Sequence, residues 1–299
     1  MKRKVIKQGN NTLTVTLPKK WTARIGIKAG DEIELNEAGG NLCLSTNKAP
    51  ELKKASMDIS SFDKAVIDTV LPMLHKSGYD EIEFTFDEPK LIKAIQHRIN
   101  SMLIGYEIIE QTNKRCLIRS IASEYDSNID VILRRTFLVT LSLAKNYLEA
   151  IKTGKLNDVE ELLVLEETNN KLTNFCERIL NKNPHNGSKT VYLYIIIWLL
   201  EKIADDYKDI CRLISTKNIK LNKELIDINE KIVNLFENYY HLFYKFDFER
   251  MKAIKQEHKK IIDELHKLTL KGNNELLVYL FDLTQRIYDC FASTTGLQF

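Results

Sequence analysis

The chain has 299 residues, 44% of them hydrophobic and 28% charged, with a formal net charge of +3. That composition belongs to a folded globular protein of two or three domains and excludes a low-complexity chain. A charge so near neutral excludes a uniformly basic nucleic-acid-binding protein, so any such role rests on where the charge lies. The basic start Met1-Lys2-Arg3-Lys4 is followed by no apolar run, so no secretory leader is expected. The longest apolar run, Val191 to Leu200, is about half of what spans a bilayer. Cys43, Cys116, Cys176, Cys211 and Cys290 form no CxxC pair and read as reduced, buried thiols in a cytoplasmic protein.

Residues 1–47 read as a small β unit. Val5 opens a strand, Gly9-Asn10-Asn11 turns it, and Leu13, Val15 and Leu17 alternate with Thr14 and Thr16 as a half-buried strand does. Pro18 ends that ladder because it has no backbone donor. Lys19 to Ile25 follow as a short helix, with Gly26 suited to the left-handed stop. A third strand is expected over Glu32-Ile33-Glu34-Leu35 and, after the Gly39-Gly40-Asn41 turn, a fourth over Leu42-Cys43-Leu44. So short a unit cannot close its own core, which predicts an oligomer.

The words Thr16-Leu17-Pro18-Lys19-Lys20-Trp21 and Gly26-Ile27-Lys28-Ala29-Gly30-Asp31 resemble the looped-hinge-helix, swapped-hairpin family of AbrB and MazE type. The resemblance implies a homodimer that exchanges hairpins and presents basic residues to DNA. In this chain those would be Lys2, Arg3, Lys4, Lys19, Lys20 and Arg24. Thr22 and Ala23 stand where the bacterial members carry an arginine pair.

Asn47 to Ala55, with Pro50 and several lysines, reads as a linker. Residues 57–122 then read as a small α-β-α-β-β section. Phe62, Val66, Val70 and Leu74 recur at helical spacing up to Gly78, Glu81 to Phe86 alternate as a strand, and Leu91, Ile95, Ile99, Met102 and Leu103 mark a second helix. Tyr106 to Glu110 and Cys116 to Ile121 are two more strands. Arg98 and Arg115 read as parts of a solvated face, and the section carries no recognisable chemistry.

From Asp126 onward the period is helical, over about 126–153, 156–182, 188–215, 221–247, 248–270 and 274–292. Gly154, Asn183-Pro184-His185-Asn186-Gly187, Ser215 to Asn218 and Gly272-Asn273-Asn274 punctuate the pieces, while the break near Asp247 has no clear stop signal. Two three-helix groups result, over 126–215 and 220–292. Their third helices look like copies: aligning Lys202-Ile203 with Arg286-Ile287 sets Glu201 over Gln285 and Asp205 over Asp289. The aromatics from Tyr239 to Phe248 have the spacing of a core or a partner surface.

The phrase Leu200-Glu201-Lys202-Ile203-Ala204-Asp205-Asp206-Tyr207 resembles the signature of the PhoU family, phosphate-uptake regulators built from tandem three-helix bundles. The second copy departs from it at Gln285 and Tyr288. The expected fold is multidomain: a small mixed β swapped-hairpin domain, a small α/β section, and all-α tandem three-helix bundles. The assembly resembles archaeal phosphate-uptake regulators. The resemblance implies a divalent or transition metal ion at Glu201 and Asp205, and at Asp289 in the weaker copy. Residues i and i+4 share a helix face, so two carboxylates there can hold a hard cation or simply form a solvated acidic face.

No GxxxxGK[ST] loop, GxGxxG turn or nucleophile elbow is present, and His185 reads as a turn residue, so an enzyme is not expected. The leading expectation is a DNA-binding transcriptional regulator of phosphate homeostasis whose bundles sense metal, phosphate or a transporter component. The alternative is an adaptor that only dimerises through residues 1–47 and contacts a phosphate transporter ATPase or sensor protein. A metal-dependent phosphohydrolase is a distant third.

Overall fold

The computed structural model describes residues 1–38, 40–46, 52–121, 128–155, 159–182, 189–217, 219, 221–270 and 275–299. The chain divides into two compact units, Met1–Lys53 and Lys54–Phe299. The Asn183–Gly187 loop, Pro50, and the punctuating residues Asn218 and Gly272–Asn274 lie outside the described residues.

The first unit holds two antiparallel hairpins and one short helix. Strands β1 (Ile6–Gln8) and β2 (Thr12–Thr14) pair with Lys7 opposite Leu13 and Gln8 opposite Thr12. Helix α1 (Lys19–Ile25) follows, with Pro18 at its N-cap and Gly26 at φ 73° stopping it in the left-handed conformation. Strands β3 (Glu34–Ala38) and β4 (Asn41–Ser45) form the second hairpin. Two strand expectations need correcting. The second strand ends at Thr14 and does not run to Leu17. The third starts at Glu34, because Asp31 is committed to a turn in which its carboxylate accepts from the Lys28 amide at 2.9 Å.

The second unit opens with a strand where a linker was expected. Strand β5 (Lys54–Asp58) pairs parallel to β6 (Glu81–Thr85), so the section is β-α-β-α-β-β. Its alternating Ala55 and Met57 are too short a pattern to register beside the lysines. Helices α2 (Lys64–Lys76) and α3 (Leu91–Met102) and strands β7 (Tyr106–Gln111) and β8 (Arg115–Ser120) complete it, with sheet order β5-β6-β8-β7. The face carrying Ile82, Phe84, Cys116 and Ile118 is buried under α2 and α3. On α2 the burying side is Ile67, Leu71 and His75, while Val66 is exposed. The helical period was visible there, but phase comes from packing. Arg98 and Arg115 are paired, with Asp68 at 2.6 Å and with Glu83 and Glu110.

Six helices follow: α4 (Ile129–Thr153), α5 (Val159–Lys182), α6 (Lys189–Lys217), α7 (Lys223–Tyr244), α8 (Phe248–Thr269) and α9 (Glu275–Gly296). The break near Asp247 is a cap: its carboxylate accepts from the Arg250 amide at 2.7 Å and starts α8. Both three-helix groups feed one apolar core, from Leu133 on α4 to Phe291 on α9. Helices α6 and α9 run antiparallel along each other, tied by Lys217 with Glu275, Asp206 with Arg286, and Tyr192 against Gly296. Ile203 on α6 and Ile287 on α9, aligned in sequence, are both fully buried. Helix α5 presents its other side to α2 and α3, so the sheet, its two helices and the helical body stack in order.

Candidate nucleic-acid interface

Charge in the first unit is segregated along the chain. Residues 1–30 carry eight basic side chains (Lys2, Arg3, Lys4, Lys7, Lys19, Lys20, Arg24 and Lys28) and no acidic one. Residues 31–46 carry Asp31, Glu32, Glu34 and Glu37 and no basic one. All six residues predicted to face DNA are exposed. On α1, Lys20 and Arg24 are four apart and share a face, while Trp21 and Ile25 turn partly inward. Arg24 also sits in the last turn, where a cation complements the helix dipole.

Among the described residues of this unit none is buried. The alternation of β1 and β2 puts Val5, Lys7, Leu13 and Val15 on one face, and Leu13 is 71% exposed. The pairing of Leu35 with Leu44 and Glu37 with Leu42 makes a second apolar face, with Leu35 and Leu42 more than half exposed. Covering a leucine is worth about 1.5–3 kcal/mol, so two uncovered hairpin faces are a strong drive to associate.

The acids proposed for metal lie elsewhere and are surrounded by lysines. Lys76 at the end of α2 reaches Glu177 on α5 at 3.0 Å and Glu201 on α6 at 3.5 Å. Asp205 accepts from Lys202 at 2.9 Å and from Lys208 at 2.6 Å, and Lys208 also holds Glu166 at 2.6 Å. Burial works against the Asp205 carboxylate, but the bonds from Lys208 and Lys202 outweigh it and hold its pKa below the usual value. Burial pushes the Glu177 carboxyl up, against the pull of Lys76. Asp289 is exposed and accepts from the Gln285 amide at 2.7 Å. Among the described residues no group of three or more His, Cys, Asp and Glu side chains is placed to hold a metal ion. Three ammonium groups occupy the oxygens a cation would need, so this donor set does not fit one in this conformation.

The residues that motif reading missed are the partners. Arg178, 1% exposed, reaches Asp80 at 2.7 Å and donates to the carbonyls of His75 at 3.2 Å and Tyr79 at 2.6 Å. Asn181 donates to the Lys76 carbonyl at 2.8 Å. Together Arg178 and Asn181 satisfy carbonyls at the C-terminal end of α2 and just beyond it, which the helix itself leaves open. Gly78, at φ 78°, lets α5 come this close, since a Cβ there would lie 2.7 Å from Lys182 Cγ. A lone Arg in a helical run carries no signal for this, because its partners lie about a hundred residues away.

Residues 6–52 match the family described as antidote-toxin recognition MazE, bacterial antitoxin. Neither a curated protein nor a solved structure matches the chain. Among the described residues no helix is long and apolar enough to cross a membrane.

Proposed function

We propose that this chain is a dimeric DNA-binding transcriptional regulator, with its first unit as the DNA module and its helical body as the sensing part. One observation carries the reading. The unit whose residues 6–52 match a MazE-type domain holds two uncovered apolar hairpin faces and eight basic side chains with no acid among its first 30 residues. A second copy would cover the apolar faces, and the basic segments of both copies would meet phosphates. Lysine and arginine contacts release condensed counterions, so affinity should fall steeply with salt. Two basic modules in one dimer would also impose a fixed spacing on half-sites.

The finer role is regulation of phosphate uptake and homeostasis. Its support is the pattern of two three-helix groups, with the aligned Ile203 and Ile287 both buried, together with the PhoU-like phrase from Leu200 to Tyr207. In this reading the acids of that phrase serve the ion-pair network rather than a metal, and the chain acts by binding, not by catalysis. A second reading, an adaptor that contacts protein and not DNA, draws on the uncharged Thr22 and Ala23 and on the antitoxin description of the matched family.

Titration of the full-length protein with duplex DNA over a range of salt tests the choice. Lys19→Ala with Lys20→Ala should lower affinity and reduce the salt slope by about two per chain, one for each lost phosphate contact. No binding by the wild type at low salt would leave the adaptor reading. Sequencing the DNA recovered with the tagged protein from cells tests the phosphate role, which requires sites near phosphate-transport genes.

A further inference from the structure

Resting on the dimeric reading, we infer that the free edge of β5 is a second contact between two copies of this chain, in which Lys54–Asp58 of each copy pair antiparallel about Ser56 and join the two sheets. The two edges of the sheet β5-β6-β8-β7 are not alike. The β7 edge is interrupted by a bulge between Ile108 and Glu110 and carries Glu107 and Glu110, devices that keep an edge from templating another strand. The β5 edge has neither bulge nor proline, and its two charges are of opposite sign. Its Lys54, Ser56 and Asp58 are exposed. The Ile59 amide donates to the Thr85 carbonyl at 2.8 Å. By alternation Ala55 and Met57 turn their backbone groups toward β6, and Lys54, Ser56 and Asp58 turn theirs to the open edge.

The edge is complementary to itself. Two identical edges that close on each other are related by a two-fold axis, which makes the strands antiparallel. With the axis at Ser56, Lys54 of each copy stands opposite Asp58 of the other, and Ala55 opposite Met57. Centring the pairing on Ala55 or Met57 sets Lys54 or Asp58 opposite Ser56 instead, so only the Ser56 register matches opposite charges. Both charged groups are available. Lys54 reaches Glu81 at 2.8 Å, but Arg119 holds the same carboxylate at 2.7 Å, so Lys54 can turn away without stranding it. Asp58 spends Oδ1 on the Ser60 amide and hydroxyl, at 2.9 and 2.6 Å, and its Oδ2 takes no partner among the described residues. A contact of two short strands is marginal in water by itself. The first unit ends at Lys53, so its dimer holds the two β5 strands at high effective concentration, where a weak pairing forms. The joined sheet lets the two sensing parts of the dimer act as one.

Ser56→Cys in the full-length chain carrying Cys43→Ser tests the register, since the other four cysteines are buried. Directly opposed, hydrogen-bonded residues of an antiparallel pair have Cα atoms about 5.5 Å apart, which a disulfide spans. Oxidised by copper phenanthroline in air, this variant should form linked dimers about tenfold faster than Glu107→Cys on the β7 edge in the same background. Adding Lys54→Asp sets like charges opposite each other and should slow the link about tenfold. Adding Asp58→Lys as well restores opposite charges in exchanged places and should recover the rate. All these positions are exposed, and circular dichroism checks that each variant folds. If Ser56→Cys links no faster than Glu107→Cys, or if the charge exchange recovers nothing, the edge pairing falls. Light scattering of the reduced protein keeps the two readings apart. A dimer without the link leaves the dimeric reading standing, and a monomer removes both.

Discussion

Arg178 on α5 lies 2.7 Å from the Asp80 carboxylate, and both side chains are removed from solvent. Asp80 immediately precedes β6, so this pair joins the α/β section to the helical body. Tyr106 adds a cation–π face 5.2 Å from the guanidinium, and Lys182 reaches the same carboxylate at 2.8 Å. Each section closes its own apolar core, and the joint between them adds the His75 ring beside Phe175 of α5 to this polar pair. Breaking such a pair from one side leaves a buried charge without its partner. Arg178→Met should therefore cost about 3–5 kcal/mol in urea denaturation of the full chain. Adding Asp80→Leu should recover part of that loss. A cost under about 1 kcal/mol would mean that Lys182 alone satisfies Asp80.

Two buried groups should pull stability in opposite directions with pH. Burial raises Asp206 to about 7, with Asp282, Asp205 and Asp209 adding to it and Arg286, 3.0 Å away, opposing. Its unfolded carboxyl titrates near 4, so between about pH 4 and 7 the folded chain holds a proton the unfolded chain has lost. Stability from this group falls as pH rises through that window, by at most about 1.4 kcal/mol per unit. Burial and the nearby Arg178 depress His75 to about 3. Its unfolded ring titrates near 6.5, so stability from this group falls as pH drops from about 6.5 toward 3. Asp206→Asn should make stability rise with pH between 4.5 and 6.5, and His75→Gln should make it fall. Equal slopes in both variants would show that neither group governs the profile.

Thermal melting with and without millimolar divalent metal separates ion pairing from metal binding at Glu201. Glu201→Gln should lower the melting temperature slightly without metal, because Lys76 loses one of two acceptors. Divalent ions should leave the wild type and Asp289→Asn unmoved. A metal-dependent rise in the wild type that Glu201→Gln abolishes would show that a cation displaces Lys76 and Lys202.

Light scattering of the full chain should report a dimer. Leu13→Asp with Leu35→Asp puts a charge on each uncovered hairpin face and should yield monomers, since association would have to desolvate a carboxylate where it now covers a leucine. A dimer that survives both changes would place the interface in the second unit.

Much of the architecture was legible because it depends on local signals. The 3.6-residue period located all six long helices. Gly26 and Gly154 marked helix ends through their left-handed backbone, at φ 73° and 70°. The basic bias of residues 1–30 is a matter of composition alone. What the sequence by itself could not determine was which charges meet. Glu201 and Asp205 announce themselves as an acidic pair four residues apart, but whether they face a cation or a lysine depends on Lys76, which is 125 residues from Glu201. Arg178 looks like a surface residue until α2 ends against it. The phase of α2, the strand at Lys54 and the single core shared by both helical groups were likewise decided by packing. Periodicity states that a face exists, and only the tertiary structure supplies the surface that covers it.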